Sequence, residues 1–179
     1  MCALKKTVVL VGMMGAGKTT VGQHLAKRIG VPFLDSDEEI EHAAQRSIAE
    51  IFTRDGEAFF RRRETEVLSR LLAGAPCILS TGGGAFIQEM NRDLIARQGV
   101  AVWLRADLDT LWGRVRHRNT RPLLRTPDPR RTLAELMAAR EGIYAEAGLV
   151  VDSAPGLSLD RMCDLVLEAL RTRPDVLED

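Results

Sequence analysis

The stretch Gly12-Met13-Met14-Gly15-Ala16-Gly17-Lys18-Thr19-Thr20 constrains this chain more than any other. Thr7-Val8-Val9-Leu10-Val11 runs directly before it, apolar and rich in β-branched residues, and reads as a buried strand. After it, Val21, Leu25, Ile29 and alanines among polar residues read as a helix, with Gly30 as its stop. In that setting Gly-x-x-x-x-Gly-Lys-Thr is a phosphate-binding loop. Its glycines let backbone N–H groups converge on phosphate oxygens, and the helix N-terminus adds a favourable partial charge. Gly12, Met14, Gly15, Ala16, Gly17, Lys18, Thr19 and Thr20 are the residues expected to hold the nucleotide. Lys18 would reach the β- and γ-phosphates and the Thr19 hydroxyl would ligate Mg²⁺. An ordinary βα turn with a chance Gly-Lys-Thr is the competing reading, and the flanking pattern disfavours it.

A chain of 179 residues with 45% hydrophobic content is long enough for one good core, so a single domain over 1–179 is expected. Basic and acidic residues balance at 25 each, and no global field recruits nucleic acid or an anionic membrane. Cys2, Cys77 and Cys163 are too far apart for a zinc pattern and odd in number, which favours a reducing compartment. The first strand begins a few residues after Met1, leaving no room for a leader. No apolar run approaches the ~18 residues of a membrane span. A cytoplasmic protein is expected.

Val31 to Leu34 reads as a short strand that delivers Asp35-Ser36-Asp37 to the carboxyl edge of a sheet, where ligands of open α/β folds collect. Asp37 is either a helix N-cap for the residues that follow or a carboxylate that serves Mg²⁺ or an attacking hydroxyl. Ser47-Ile48-Ala49-Glu50 is a capping box whose helix breaks at Asp55-Gly56. A second helical pattern runs from Glu57 to Leu72. Within it Arg61, Thr65, Leu68 and Leu72 share one stripe, so Arg61 points inward and needs an anionic partner. Arg62 lies over Glu66 at the surface.

Cys77 to Ser80 is a further strand, and it ends in Thr81-Gly82-Gly83-Gly84. Such glycines are either a flexible link or a place where backbone approaches a ligand closely, and the rim position favours the second. A helix over 88–97, a strand over 99–104, a helix over 107–116 and a last strand over 148–152 complete an alternating βα pattern, hence a parallel sheet. Residues 117–129 are basic and broken by prolines, a composition suited to a lid over phosphates; a nucleic-acid patch would want interleaved aromatics. Thr132-Leu133-Ala134-Glu135 reads as a capping box. Its helix sets Arg140 in a stripe with Leu133, Leu136, Met137 and Tyr144, as an edge arginine or a functional one. Ser158 caps a final helix, and the tail beyond it has no periodic signal.

Together Gly-x-x-Gly-x-Gly-Lys-Thr at 12–19, Asp-Ser-Asp at 35–37, Phe-Arg-Arg at 60–62 with Glu64, Ser-Thr-Gly-Gly-Gly at 80–84, Arg-Pro-Leu-Leu at 121–124 and Arg-x-x-x-Tyr at 140–144 resemble the shikimate kinase family across essentially the whole chain. The resemblance implies an α/β, three-layer P-loop kinase fold. Its central parallel sheet would have about five strands flanked by helices, with a substrate-binding helical region near 37–64 and a lid near 115–129. It implies ATP-dependent phosphorylation of the shikimate 3-hydroxyl in aromatic amino-acid biosynthesis, with Mg²⁺, by a monomer. Carried onto this sequence, the family pattern makes Lys18, Asp37 and Arg121 catalytic. Asp37, Arg61, Gly82, Gly83, Gly84 and Arg140 would hold shikimate. Thr19 would bind Mg²⁺ directly and Asp35 through water, while Arg114 and Pro155 would flank adenine. No role falls to Arg63. A gluconate-kinase-like sugar-acid kinase and a binding module without turnover are the alternatives.

Overall fold

The computed structural model describes residues 2–117 and 124–179. Five strands form one parallel sheet: β2 (Thr7–Val11), β3 (Phe33–Asp35), β4 (Ile78–Ser80), β5 (Gly99–Arg105) and β6 (Leu149–Asp152), in the order β3-β4-β2-β5-β6. Every residue of β2 and β4 is buried, and only Arg105 at the end of β5 is exposed, which explains continuous apolar runs rather than alternation. The edge strand β6 alternates, and Val150 faces out.

The chain leaves β2 through α1 (Lys18–Ile29) toward one edge, and each later crossover moves the other way. Right-handed crossovers therefore set α1 on one face and α3 (Ile48–Ala73), α4 (Glu89–Gln98) and α6 (Pro129–Tyr144) on the other. The final helix, α7 (Leu159–Arg171), returns to pack on α1 and β6. Where the winding reverses, the carboxyl ends of β2 and β4 open a crevice. A smaller cluster of Ile40, Ile51, Phe60 and Val67 joins α2 (Ser36–Ala44) to α3 beside that crevice.

Four local readings change. Asp35, not Asp37, is the N-cap of α2: its Oδ1 accepts from the Asp37 and Glu38 amides at 2.9 and 3.2 Å. The helix therefore starts two residues early and Asp37 lies in its first turn. Helix α6 starts at Pro129 with Asp128 as its cap, so Thr132 is interior. A proline at the first helical position, its missing N–H costing nothing there, outranks the capping-box pattern at 132–135. Glu66 pairs with Arg63 at 2.7 Å and not with Arg62, since i,i+3 is the nearer neighbour here. The tail is ordered. Its Leu177–Glu178 (β7) pairs antiparallel with Ala3–Leu4 (β1), burying Val176 and Leu177. Two-residue strands are too short to show a period.

The breaks fall where expected elsewhere. Gly30 ends α1 in the left-handed region, Ser47 and Ser158 cap α3 and α7, and Gly56 kinks α3 at φ 84°.

Candidate active site

The phosphate loop grows from the buried end of β2. Gly15 has φ 82°, and a Cβ there would stand 2.7 Å from Val115 Cγ1, so both backbone angle and space require glycine. Gly17 occupies the N-cap of α1 with φ 92° and no side-chain cap, which leaves the first-turn N–H groups directed into the cleft. Lys18 Nζ donates to the carbonyl oxygens of Gly12 at 2.6 Å and Met13 at 3.2 Å. Thr19 and Thr20 stand exposed at the rim.

One cleft of about 680 Å³ joins this loop to the acids of β3–α2 and to the glycine turn after β4. Met14, Gly15, Ala16, Gly17, Lys18, Thr19 and Thr20 line its nucleotide side, and Asp35, Asp37, Arg61, Gly82, Gly83, Gly84 and Arg140 line the other. Burial pushes the Asp37 carboxyl up to about 6, and the negative charges of Asp35 and Glu64 add to the rise against the opposing pull of Lys18.

The turn Gly82–Gly84 is where the side of the cleft facing the phosphate loop is assembled. A Cβ on Gly82 would fall 2.6 Å from Asp37 Oδ1, on Gly83 3.3 Å from Arg140 Nη1, and on Gly84 2.6 Å from Arg61 Nη2. Each glycine thus makes room for one charged side chain from a different helix. The Gly83 carbonyl accepts from Arg140 Nη1 at 3.2 Å and from the Tyr144 hydroxyl at 3.0 Å. Arg61 donates to Glu64 Oε1 at 3.0 Å, while its Nε lies buried without a hydrogen-bond partner among the described residues.

Two residues quoted in the motifs, Glu64 and Tyr144, take parts to which sequence reasoning gave no role. Glu64 is the anionic partner that the inward Arg61 needed from the protein itself; burial raises its pKa and Arg61 opposes the rise. Its spacing three residues after Arg61 was the available signal. Tyr144, four after Arg140, steadies the same carbonyl. Arg114 lines the cleft and bridges the Gly15 carbonyl to the Ser153 hydroxyl at 3.0 and 3.1 Å. Gly12 and Pro155 are not among the lining residues: Gly12 is buried under the loop, and exposed Pro155 yields its place to Ser153 and Leu157. Arg121, with the rest of 118–123 in the expected lid, lies outside the described residues.

Among the described residues no cluster of three or more His, Cys, Asp or Glu could hold a metal unaided. Thr19 and Asp35 are hard oxygen donors on the same cleft, a set that fits an ion arriving with nucleotide oxygens and water.

A phosphate loop that shares its cleft with a carboxylate and two guanidiniums suits phosphoryl transfer to a small anionic acceptor, on the sheet order of a P-loop kinase. The family model for shikimate kinase matches residues 14–171. The shikimate kinase of Cereibacter sphaeroides is 66% identical over 178 residues, covering 99% of this chain and 89% of its own. A shikimate kinase structure from Acinetobacter baumannii in complex with shikimate superposes with a TM-score of 0.85 at 37% identity, covering 94% of each chain. A gluconokinase from Sinorhizobium meliloti, 19% identical and covering 94% of this chain and 93% of its own at a TM-score of 0.60, shares the fold alone. The chain belongs to the shikimate kinase family and carries that family's ATP-dependent kinase chemistry. Both the resemblance and the fold class read from the motifs hold; the sugar-acid kinase alternative is not favoured.

Proposed function

We propose that this cleft transfers the γ-phosphoryl of ATP to the 3-hydroxyl of shikimate, giving ADP and shikimate 3-phosphate. The observation that carries the reading is the convergence of Asp37, Arg61 and Arg140 on three successive glycines, across one cleft from Lys18. Two guanidiniums facing the turn suit the acceptor's carboxylate, which accepts paired charge-assisted hydrogen bonds. Glu64 fixes the Arg61 fork, and Glu57 lies 3.6 Å from its Nε.

Asp37 accepts the hydrogen bond of the reacting hydroxyl and orients it in line with the phosphoryl. Its raised proton affinity suits it to take the hydroxyl proton as the new P–O bond forms. Lys18 and Arg121 balance charge on the phosphoryl in flight, and Arg114 flanks the nucleotide. Thr19 directly, and Asp35 through water, would hold Mg²⁺, which when bound neutralises phosphate charge. The chain works as a monomer in the cytoplasm, with residues 37–64 receiving the acceptor and 115–129 closing over it.

The test is ADP release with ATP and Mg²⁺ in the presence of shikimate, gluconate or no acceptor. Release stimulated by shikimate alone supports the reading. Stimulation by gluconate, or none by either, overturns it.

A further inference from the structure

Outside the cleft, one polar side chain is fully buried with both of its ends engaged. Asn91, in the first turn of α4, is 0% exposed. Its Nδ2 donates to the Ala85 carbonyl at 2.9 Å, and its Oδ1 accepts from the Thr65 hydroxyl at 2.7 Å. A carbonyl can only accept, so Ala85 fixes which end of the amide is which. The neighbouring Arg92 grips the next two carbonyls, Nη1 donating to Phe86 at 2.9 Å and Ile87 at 2.8 Å. Its Nε lies 3.4 Å from Glu146, just beyond the end of α6.

These contacts meet at the two structures that build the acceptor side. Thr65 lies one helical turn after Arg61 on the same stripe of α3. Ala85 directly follows Gly84, and its own amide closes the turn by donating to the Gly82 carbonyl at 3.1 Å. The separation between α3 and the glycine turn therefore runs through Thr65, Asn91 and Ala85. At the front of the same gap, Arg61 lies so close to Gly84 that a single added methyl would collide with it.

We propose that Asn91 is a positioning residue for the acceptor site, a buried clasp that with Thr65 sets the distance between the Arg61 helix and the Gly82–Gly84 turn. Arg92 holds the rest of the following short turn in register. Asn91 touches no substrate; it acts through Arg61 and the turn. The proposal rests on the acceptor reading given above.

The mild variant is Thr65→Val, which keeps the shape and removes the hydroxyl. It should raise the shikimate KM about three- to tenfold, the scale of one neutral hydrogen bond, while the ATP KM stays within about twofold. Thr65→Ser, which restores the hydroxyl, should return the shikimate KM to within about twofold of the parent. Hydrogen–deuterium exchange over residues 81–87 of the ligand-free protein should quicken in Thr65→Val and not in Thr65→Ser. A lower Tm or faster exchange with an unchanged shikimate KM would make Asn91 merely structural, and an equal rise in both KM values would also overturn the proposal. If the parent itself turns over no shikimate, the acceptor reading has failed separately. Exchange then decides the clasp, which falls if 81–87 exchanges at the parental rate in Thr65→Val.

Discussion

The nucleotide side and the acceptor side of the cleft are built in different ways. The phosphate loop is a continuous piece of chain, shaped by glycine backbone angles and rooted in the fully buried β2 and the main core. The acceptor side has no such piece. Asp37 comes from α2, Arg61 from α3 and Arg140 from α6, and they meet only because a glycine turn after β4 admits all three. The loop recognises phosphate with main-chain N–H groups, which any sequence of suitable shape supplies. On the proposed reading the acceptor side recognises with side chains, and these are held by partners: Glu64 on Arg61, and Tyr144 on the carbonyl that Arg140 also binds. Substitutions in the loop should therefore stop transfer, and those of the arginines and glycines across the cleft should loosen the acceptor. Asp37, set against the reacting hydroxyl, should be the one residue of that side whose loss stops transfer.

Lys18→Ala should have the largest effect, lowering kcat by at least about a thousandfold, because it removes a charge placed for the phosphates. The Tm should fall little, since the loop keeps its glycines and loses only the Lys18 bonds to Gly12 and Met13. Near-normal turnover, or unfolding that tracks the loss of activity, would break the comparison on the nucleotide side.

Asp37→Asn should lower kcat by about a hundredfold or more, the scale of a positioned proton acceptor. It should also stabilise the fold at neutral pH. The folded carboxyl titrates at about 6 against an ordinary 3.8, so the native state holds the proton more tightly than the unfolded chain. Stability contributed by that proton is present below about pH 4 and is lost as pH rises through about 6. The variant should therefore be more stable than the parent above pH 6, by up to about 3 kcal/mol, with the gap closing near pH 4. Thermal unfolding across that range checks the sign, and parental kcat/KM should fall as pH drops through about 6.

A smaller and more selective effect is expected of Gly84→Ala. The new methyl would meet the guanidinium of Arg61, the mobile end of a long side chain, so the fold yields cheaply while the arginine shifts. Shikimate KM should rise about tenfold with the Tm within a few degrees of the parent, as measured by steady-state kinetics beside thermal unfolding. A large loss of Tm instead would show that the turn serves packing first.

The same contrast governs how much was legible in the sequence. Strand, loop and helix at 7–29 follow from local spacing, and the structure gives β2 the expected bounds. Helical phase alone turned Arg61 inward and set Arg140 in an apolar stripe, because a stripe of 3.6 period needs no knowledge of the partner helix. The part Glu64 plays, Asn91 and the ordered tail were not legible. Glu64 looks like any surface acid until α3 is packed, Asn91 like any polar residue in a first turn, and β7 has meaning only beside β1. The cap of α6 was misread because Asp128-Pro129 and the capping box at 132–135 compete within a few residues, and the Asp37 cap, left open in the sequence, went to Asp35.

The claim that side chains from separate helices form one carboxylate grip is tested most directly by calorimetry with shikimate and with an analogue lacking the carboxylate. The proteins are the parent, Arg61→Lys, Arg140→Lys and Arg62→Lys. Lysine keeps the charge but loses the planar fork. Arg61→Lys and Arg140→Lys should each weaken shikimate about ten- to a hundredfold, as charged hydrogen bonds are worth about 1.5–3 kcal/mol. Arg62 is exposed, about 100° round α3 from Arg61 and against the Phe59 ring, and its lysine variant should bind like the parent. The analogue should bind the parent poorly and lose little more in either of the two weakened variants. If Arg62→Lys were the damaging change, or the analogue lost as much as shikimate, the grip would not exist as described.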